Sequence, residues 1–246
     1  MAAHRIHVLI PAAGLGQRFG GDRPKQYSNF LDGLLIDHSI TQLQKLVDPE
    51  ILILGLAKDD NFWAETKSSQ SETVKTVLGG KTRAETVFNM LSVLEDVDAN
   101  DWILIHDVVR PCIDKASLKP LLESLNSTRA SGLSLGRPVQ EAVKRVSEDS
   151  LSAEGSLVLQ SENREGLWLT QTPQVFRYPA LHKSMQRCMD QSLSFDDEMM
   201  ALHHSGYPTE MVIGSALNIK ITVAEDLSLA ESYWKIMQAN STGASR

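Results

Sequence analysis

The chain predicts an α/β fold built on a doubly wound, mostly parallel sheet. Two observations lead there. Short apolar runs alternate along the chain with longer stretches whose apolar residues recur at three- and four-residue spacing. A glycine-rich loop, Pro11 to Gly20, leaves the first apolar run directly, where sheets of this kind bind ligands. With 246 residues, 42% apolar and 22% charged, the chain can bury a sizeable core as one large domain.

Each element follows in order. Ile6–Ile10 reads as a first buried strand. Leu35–Leu46 has helical spacing through Ile36, Ile40, Leu43 and Leu46. Ile51–Leu56 is a second buried strand and Val74–Leu78 a third. Thr86–Leu94 is helical, with Val87, Met90, Leu91 and Leu94 on one face. Trp102–Ile105 is a fourth strand, and Leu118–Leu125 another helix. The pattern breaks between Arg137 and Glu165. There, Ala142–Val146 and Leu157–Leu159 flank the polar run Ser147–Ser156, which predicts two short strands forming a protruding β-arm at about 138–163. Apolar alternation without a core of its own points to docking on a partner; a mobile surface hairpin is the alternative. Asn218–Thr222 is strand-like, Asp226 opens a final helix, and Asn240–Arg246 is expected to be disordered.

A formal charge of −7 argues against broad nucleic-acid or membrane-surface binding, so an anionic ligand must be met by a local cluster of Lys and Arg. Cys112 and Cys188 make neither a disulfide framework nor a zinc spacing. No apolar run suits a secretory leader or a bilayer span, and a cytoplasmic location is expected.

The first loop reads Pro11-Ala12-Ala13-Gly14-Leu15-Gly16-Gln17-Arg18-Phe19-Gly20, with Pro24-Lys25-Gln26-Tyr27 close behind. Its backbone N–H groups can wrap phosphates. The dinucleotide fingerprint wants a third glycine where Phe19 stands, and no Gly-Lys-Ser/Thr run occurs. The glycines alone fit an ordinary turn. Arg18 and Lys25 shift the reading to a site that stabilises charge on a phosphate under attack.

The third strand ends in Gly79-Gly80, followed by Lys81-Thr82-Arg83-Ala84-Glu85-Thr86. Paired glycines permit close approach to a flat ligand, and Thr86 can bond a base edge; taken alone, the run is better explained as a strand-to-helix turn capped by Thr82. The fourth strand ends in His106-Asp107-Val108-Val109-Arg110. Asp107 sits where such sheets hold magnesium and phosphates, and Arg110 is suited to a second phosphate; an Asp–Arg pair in a turn is the plain alternative. His106 reads as a packed strand-end residue. Lys220, between isoleucines, is costly on an apolar strand unless it serves an anion or an ion pair. Arg164 lies where the β-arm returns, shortly before Thr172-Pro173-Gln174.

In order along the chain come Pro-Ala-Ala-Gly-x-Gly-x-Arg, Pro-Lys-Gln-Tyr, Gly-Gly-x-x-Arg, His-Asp-x-x-Arg-Pro, Gly-Leu-Trp…Thr-Pro-Gln, and Asn-Ile-Lys-x-Thr…Glu-Asp-Leu. The series resembles the 2-C-methyl-D-erythritol 4-phosphate cytidylyltransferases of the non-mevalonate isoprenoid pathway, from Ile6 to about Tyr233. The resemblance implies a Rossmann-like nucleotidyltransferase that joins CTP to the polyol phosphate, releases pyrophosphate and uses magnesium. It places Pro11, Ala12, Ala13, Gly14, Gly16, Gly80, Thr86 and Asp107 around the nucleotide, with Asp107 on the metal. Arg18 and Lys25 match catalytic cations. Arg164, Lys220, Thr172 and Arg110 fall on the substrate side, Arg164 acting across a homodimer interface of interlocked β-arms. Lys81, Ala142 and Leu217 stand where relatives often have Asp, Thr and Asp. A pentitol-phosphate cytidylyltransferase and a non-catalytic nucleotide-binding module are the alternative readings.

Overall fold

The computed structural model describes residues 5–14, 19, 23–49, 52–147 and 155–243. A seven-stranded sheet forms the centre. Its strands are β1 (Ile6–Pro11), β4 (Leu52–Leu56), β5 (Val74–Leu78), β6 (Trp102–Ile105), β7 (Gly132–Pro138), β10 (Trp168–Arg177) and β11 (Thr209–Ile213), in spatial order β11-β7-β10-β6-β1-β4-β5. All neighbours run parallel except β10, which is antiparallel to both β6 and β7. A two-stranded ribbon of β2 (Asn29–Phe30) and β3 (Gly33–Leu34) follows the first loop. Among the described residues six α-helices complete the fold: α1 (Leu35–Val47), α2 (Arg83–Ser92), α3 (Lys115–Ser124), α4 (Tyr178–Asp190), α5 (Glu198–His204) and α6 (Glu225–Gly243).

Alternation along the central strands splits the core into two layers. Val8, Ile10, Leu52, Leu54, Trp102 and Leu104 pack with Ile36, Ile40 and Leu43 of α1, Leu118 and Leu121 of α3 and Ala230 of α6. Leu9, Ile53, Ile103 and Ile105 face the other way, onto Val87, Met90 and Leu91 of α2, Leu181 and Met185 of α4, and Leu202 of α5. Both faces of β1, β4 and β6 are covered, which is why those strands are continuous apolar runs rather than alternating ones. The strand order reverses at β1: β4 and β5 lie on one side, and β6 on the other. Ligand crevices in open α/β sheets form at such a reversal.

Several expectations are corrected. Val74–Leu78 is not buried. Among the described residues it is the sheet's last strand, paired only with β4, and Leu78 is 58% exposed. The second helix starts at Arg83, because Thr82 Oγ1 accepts the Glu85 N–H as N-cap, and it ends before Leu94. Lys220 lies on a loop, not a strand. The backbone of α6 continues to Gly243, past the predicted start of disorder at Asn240, seated through buried Ala230 and Met237.

The β-arm is a separate ribbon of β8 (Val143–Val146) and β9 (Val158–Glu162), antiparallel, with Val143 opposite Glu162. Arg145 Nε donates to Glu162 Oε1 at 2.6 Å. Leu157, Val158 and Leu159 are 67%, 53% and 59% exposed. Much of the arm's predicted polar turn, residues 148–154, lies outside the described residues, as does Ile51.

Candidate active site

Four segments meet at the carboxyl ends of β1, β5 and β6. The first is the loop after β1. Ala12 N–H bonds Gly55 O at 2.8 Å, holding the loop against β4. Gln26 is buried, and its Nε2 donates to Ala12 O at 2.9 Å and Gly14 O at 3.2 Å. Tyr27 is also buried, its hydroxyl donating to Asp60 Oδ2 at 2.6 Å. The Pro-Lys-Gln-Tyr run therefore has an internal logic. Gln26 and Tyr27 anchor a short 3₁₀ turn, and Lys25 is left lining the cleft, where its Nζ donates to Ile221 O at 2.9 Å.

The second segment is the glycine pair after β5. A Cβ at Gly79 would stand 2.5 Å from Ala13 Cβ, and one at Gly80 would stand 2.2 Å from Glu85 Cβ. Gly79 is dictated by its close approach to the first loop, and Gly80 by its packing against Glu85 in the first turn of α2. Thr86 Oγ1 accepts Gly80 N–H at 3.0 Å and donates to Thr82 O at 2.9 Å. Its hydrogen is committed, so the hydroxyl shapes the slot and keeps only acceptor capacity.

The third segment follows β6. Asp107 is buried, yet Lys220 Nζ lies 3.0 Å from its Oδ2, Arg110 Nε 3.5 Å from Oδ2 and Arg83 Nε 3.5 Å from Oδ1. Burial opposes ionisation, but Arg83, Lys220 and Arg110 together outweigh it and hold this carboxyl far below the usual carboxylate range. His106 is fully buried, and that burial lowers its pKa to about 4. Its Nε2 faces Arg110 O at 3.0 Å and its Nδ1 faces Thr172 Oγ1 at 3.2 Å. Thr172 Oγ1 also accepts Asp107 N–H at 2.9 Å. The neutral ring thus carries its proton on Nε2, donates to Arg110 O and accepts from the Thr172 hydroxyl at Nδ1.

The fourth segment is the Lys220 loop. Ile221 N–H bonds Val109 O at 2.9 Å. Arg110 Nη1 donates to Asn218 O at 2.9 Å, and Asn218 Nδ2 donates to Thr172 O at 2.8 Å. Asp226 Oδ2 accepts Thr222 N–H, Thr222 Oγ1–H and Val223 N–H. Lys220 is thereby held on a braced loop whose turn Asp226 closes from the first turn of α6.

One cleft is lined by Pro11, Ala12, Ala13, Gly14, Lys25, Gly80, Thr86, Asp107 and Lys220, all anticipated from the sequence. Its lining also holds Lys81 and Arg83, giving four cations against one carboxylate among the described residues. The cleft is therefore locally positive in a chain of charge −7. Thr172 and Arg110 do not line it. Both are buried behind it, bracing Asp107 and the Lys220 loop. Arg164 is exposed at the base of the β-arm, its guanidinium bonded to Gln140 O, and it does not line the cleft either. Gly16 and Arg18 lie outside the described residues.

Arg83 was not singled out as a site residue from the sequence. Its Nη1 contacts both oxygens of Glu198, at 2.6 and 2.7 Å, and Glu198 is fully buried. Burial works against the guanidinium charge, but Glu198 and Asp107 raise its pKa above the ordinary arginine value. The Gly-Gly-x-x-Arg spacing carried this signal; the distant partner Glu198 carried none.

Four lysines and arginines at the reversal point of a doubly wound sheet suit the phosphates of a nucleotide, and comparison with known proteins places the chain among the nucleotidyltransferases. The family model "IspD: 2-C-methyl-D-erythritol 4-phosphate cytidylyltransferase" matches residues 6–236. A 2-C-methyl-D-erythritol 4-phosphate cytidylyltransferase of Hahella chejuensis is 37% identical over 240 residues, covering 97% of each chain. One from Alteromonas mediterranea is 37% identical over 237 residues, covering 96% of this chain and 95% of its own. The crystal structure of the Francisella tularensis enzyme of that name aligns with TM-score 0.79 and 29% identity, over 93% of this chain and 99% of that one. The chain belongs to the 2-C-methyl-D-erythritol 4-phosphate cytidylyltransferase family.

Proposed function

We propose that this chain transfers the cytidylyl group of CTP to 2-C-methyl-D-erythritol 4-phosphate and releases pyrophosphate. The observation that carries the reading is one cleft holding Lys25, Lys220 and Asp107 beside the Pro11–Gly14, Gly80 and Thr86 walls. An oxygen of the acceptor phosphate attacks the α-phosphorus of CTP. A P–O bond forms there, the bond to the α,β-bridging oxygen breaks, and pyrophosphate leaves with that electron pair. The acceptor phosphate is mostly ionised at neutral pH, with a second pKa near ~6, so no side chain has to remove a proton. His106 accordingly serves as a buried brace. The difficulty is bringing two anions together. Lys25 and Lys220 meet it with fixed positive charge, as does Arg18 by the family resemblance of its loop. Loss of one such group typically raises the barrier by about 3–4 kcal/mol.

Magnesium is the proposed cofactor. Magnesium is usually held by one or two carboxylates, with substrate phosphates and water completing its shell. Asp107 suits that role through Oδ1: it is kept ionised, it lines the slot, and Arg83 stays 3.5 Å from Oδ1, while Lys220 at 3.0 Å and Arg110 at 3.5 Å hold Oδ2. The bound ion supplies positive charge to the phosphate oxygens.

The chain reads as one nucleotidyltransferase domain whose β-arm, at about 138–163, forms a homodimer. Support comes from the exposed Leu157, Val158 and Leu159, which the arm alone cannot cover. Arg164 would then serve the neighbouring protomer's site. Among the described residues no helix is long and apolar enough to cross a membrane, and a cytoplasmic location suits these substrates.

The test is pyrophosphate release from CTP with a panel of phosphorylated polyols. Turnover is expected with the methylerythritol phosphate. Preference for ribitol 5-phosphate would support the pentitol-phosphate reading instead, and CTP binding without release would support a non-catalytic module.

A further inference from the structure

Glu198 has no obvious reason to be where it is. It opens α5, is fully buried, and belongs to neither the first loop, the glycine pair nor the Lys220 loop. Both its oxygens are spent on one nitrogen of Arg83, 115 residues away in sequence. Asp197, just before it, caps α5 through Met200 N–H and takes Gln174 Nε2 at 3.1 Å, so this end of the helix is tied to β10. Arg83 is the cleft residue that reaches between two carboxylates. Its Nη1 is held tightly by Glu198, while its Nε stays 3.5 Å from Asp107 Oδ1. Its Nη2 makes no hydrogen bond among the described residues.

The two carboxylates compete for one guanidinium. Removing the Glu198 charge leaves Asp107 as the strongest remaining anion near Arg83. The guanidinium would then swing onto Asp107 as a bidentate pair, the geometry arginine and carboxylate favour. That movement would cover Asp107 Oδ1 and shift the guanidinium from its place at the cleft wall.

We propose that Glu198 is a positioning residue for the nucleotide site. It acts through Arg83, holding the guanidinium off Asp107 and fixed at the cleft wall. The inference rests on the cytidylyltransferase reading. It adds a remote tether, built from α5, that sets affinity for the nucleotide rather than for the polyol phosphate. Within the slot Arg83 shares α2 with Thr86 and closely follows Gly80, so it belongs to the wall assigned to the nucleotide rather than to the Lys220 loop assigned to the acceptor, and that placement is why the nucleotide should feel the change.

The experiment compares wild type, Glu198→Gln, Arg83→Met and the double variant Arg83→Met/Glu198→Met in the full-length protein. Four quantities are read: melting temperature, CTP affinity by calorimetry without acceptor, and KM for each substrate. Glu198→Gln keeps the shape and removes the charge. It should weaken CTP binding at least tenfold, leave the acceptor KM within about twofold, and match the loss seen in Arg83→Met. The two losses should not add, because both pass through the same guanidinium. The double variant removes both buried charges together, so it should fold even if Glu198→Gln does not, and it should still bind CTP poorly. CTP affinity at the wild-type level in a folded Glu198→Gln or double variant would overturn the proposal. So would equal losses for both substrates, the mark of a purely structural pair. Wild-type protein that releases no pyrophosphate would overturn the activity beneath it, and the inference with it.

Discussion

Replacing Thr172 by Val removes a hydroxyl and keeps the side chain's shape, which isolates the brace behind Asp107. Two buried hydrogen bonds are lost: Asp107 N–H to Oγ1, 2.9 Å long, and the Oγ1 contact with His106 Nδ1, 3.2 Å long. The first leaves a buried amide unsatisfied, which costs about 1–3 kcal/mol, and the second removes a further ~0.5–1.5 kcal/mol. The expected destabilisation is therefore about 2–4 kcal/mol. For a chain of this length each kcal/mol lowers the melting temperature by roughly 2–4 °C, so a fall of roughly 5–15 °C should appear by calorimetry. Thr172→Ser keeps the hydroxyl and should recover most of the loss. In steady-state assays, kcat should fall because Asp107 is less well placed, while the acceptor KM stays within about twofold. A melting temperature unchanged from wild type, together with a raised acceptor KM, would refute the brace and put Thr172 in contact with substrate.

Three further outcomes follow from the same geometry. Lys25→Ala should lower kcat by about two to three orders of magnitude with a smaller change in CTP affinity, because its ammonium meets charge that develops in the transition state; separate measurement of the two checks this, and a raised KM with normal kcat would remove Lys25 from that role. His106 should make the fold acid-sensitive: its pKa is about 4 folded against the ordinary 6.5, so its stabilising effect is complete above pH 6.5 and is lost as pH falls towards 4. The loss is roughly 3 kcal/mol, and urea unfolding at several pH values should show a slope in that window that His106→Asn flattens. Inactive Lys25→Ala and Arg164→Ala proteins, mixed and allowed to exchange subunits, should recover activity at roughly a quarter of all sites if Arg164 serves the neighbouring site, and should stay at background if it does not.

The parts legible in the sequence share a physical cause. Ile6–Ile10, Leu35–Leu46 and Trp102–Ile105 lie where β1, α1 and β6 form, because burial on both faces of a strand or one face of a helix imposes its own period. Val74–Leu78 has the residue types of a buried strand, but exposure depends on having a second neighbour, and only topology decides that. The antiparallel β10 escaped notice for a related reason. Its ladder with β7 breaks between Gln171 and Gln174, and exposed Leu169 stands near buried Val175 and Phe176 on the same strand, so no single period runs through it. Lys220 looked costly among isoleucines on a strand. The cost is met instead by a loop that turns Ile221 inward to full burial while Lys220 reaches Asp107.

The site residues divide along the same line. Gly80 and Asp107 could be picked out because each stands just past a strand end that the apolar pattern locates, whereas Lys25, well beyond the end of β1, is marked by the Pro-Lys-Gln-Tyr run that follows the glycine-rich loop. Arg110 and Thr172 could be found but not cast. An arginine beside an aspartate reads as a phosphate ligand or as an ion pair with equal ease until its other nitrogen is seen on Asn218 O. Glu198 could not be found at all. Its meaning lies wholly in Arg83, on a different helix, and nothing local distinguishes it from an acidic residue in the first turn of any helix. The electrostatics of the cleft rest on such distant pairs. Asp107 is ionised because Arg83, Lys220 and Arg110 surround it, and Arg83 and Arg110 are each steered by a group from elsewhere in the chain. A chain of net charge −7 thus holds a positive cleft by grouping four lysines and arginines around the single lining carboxylate of Asp107 and burying Glu198 behind Arg83, where it orients charge that an incoming phosphate still meets.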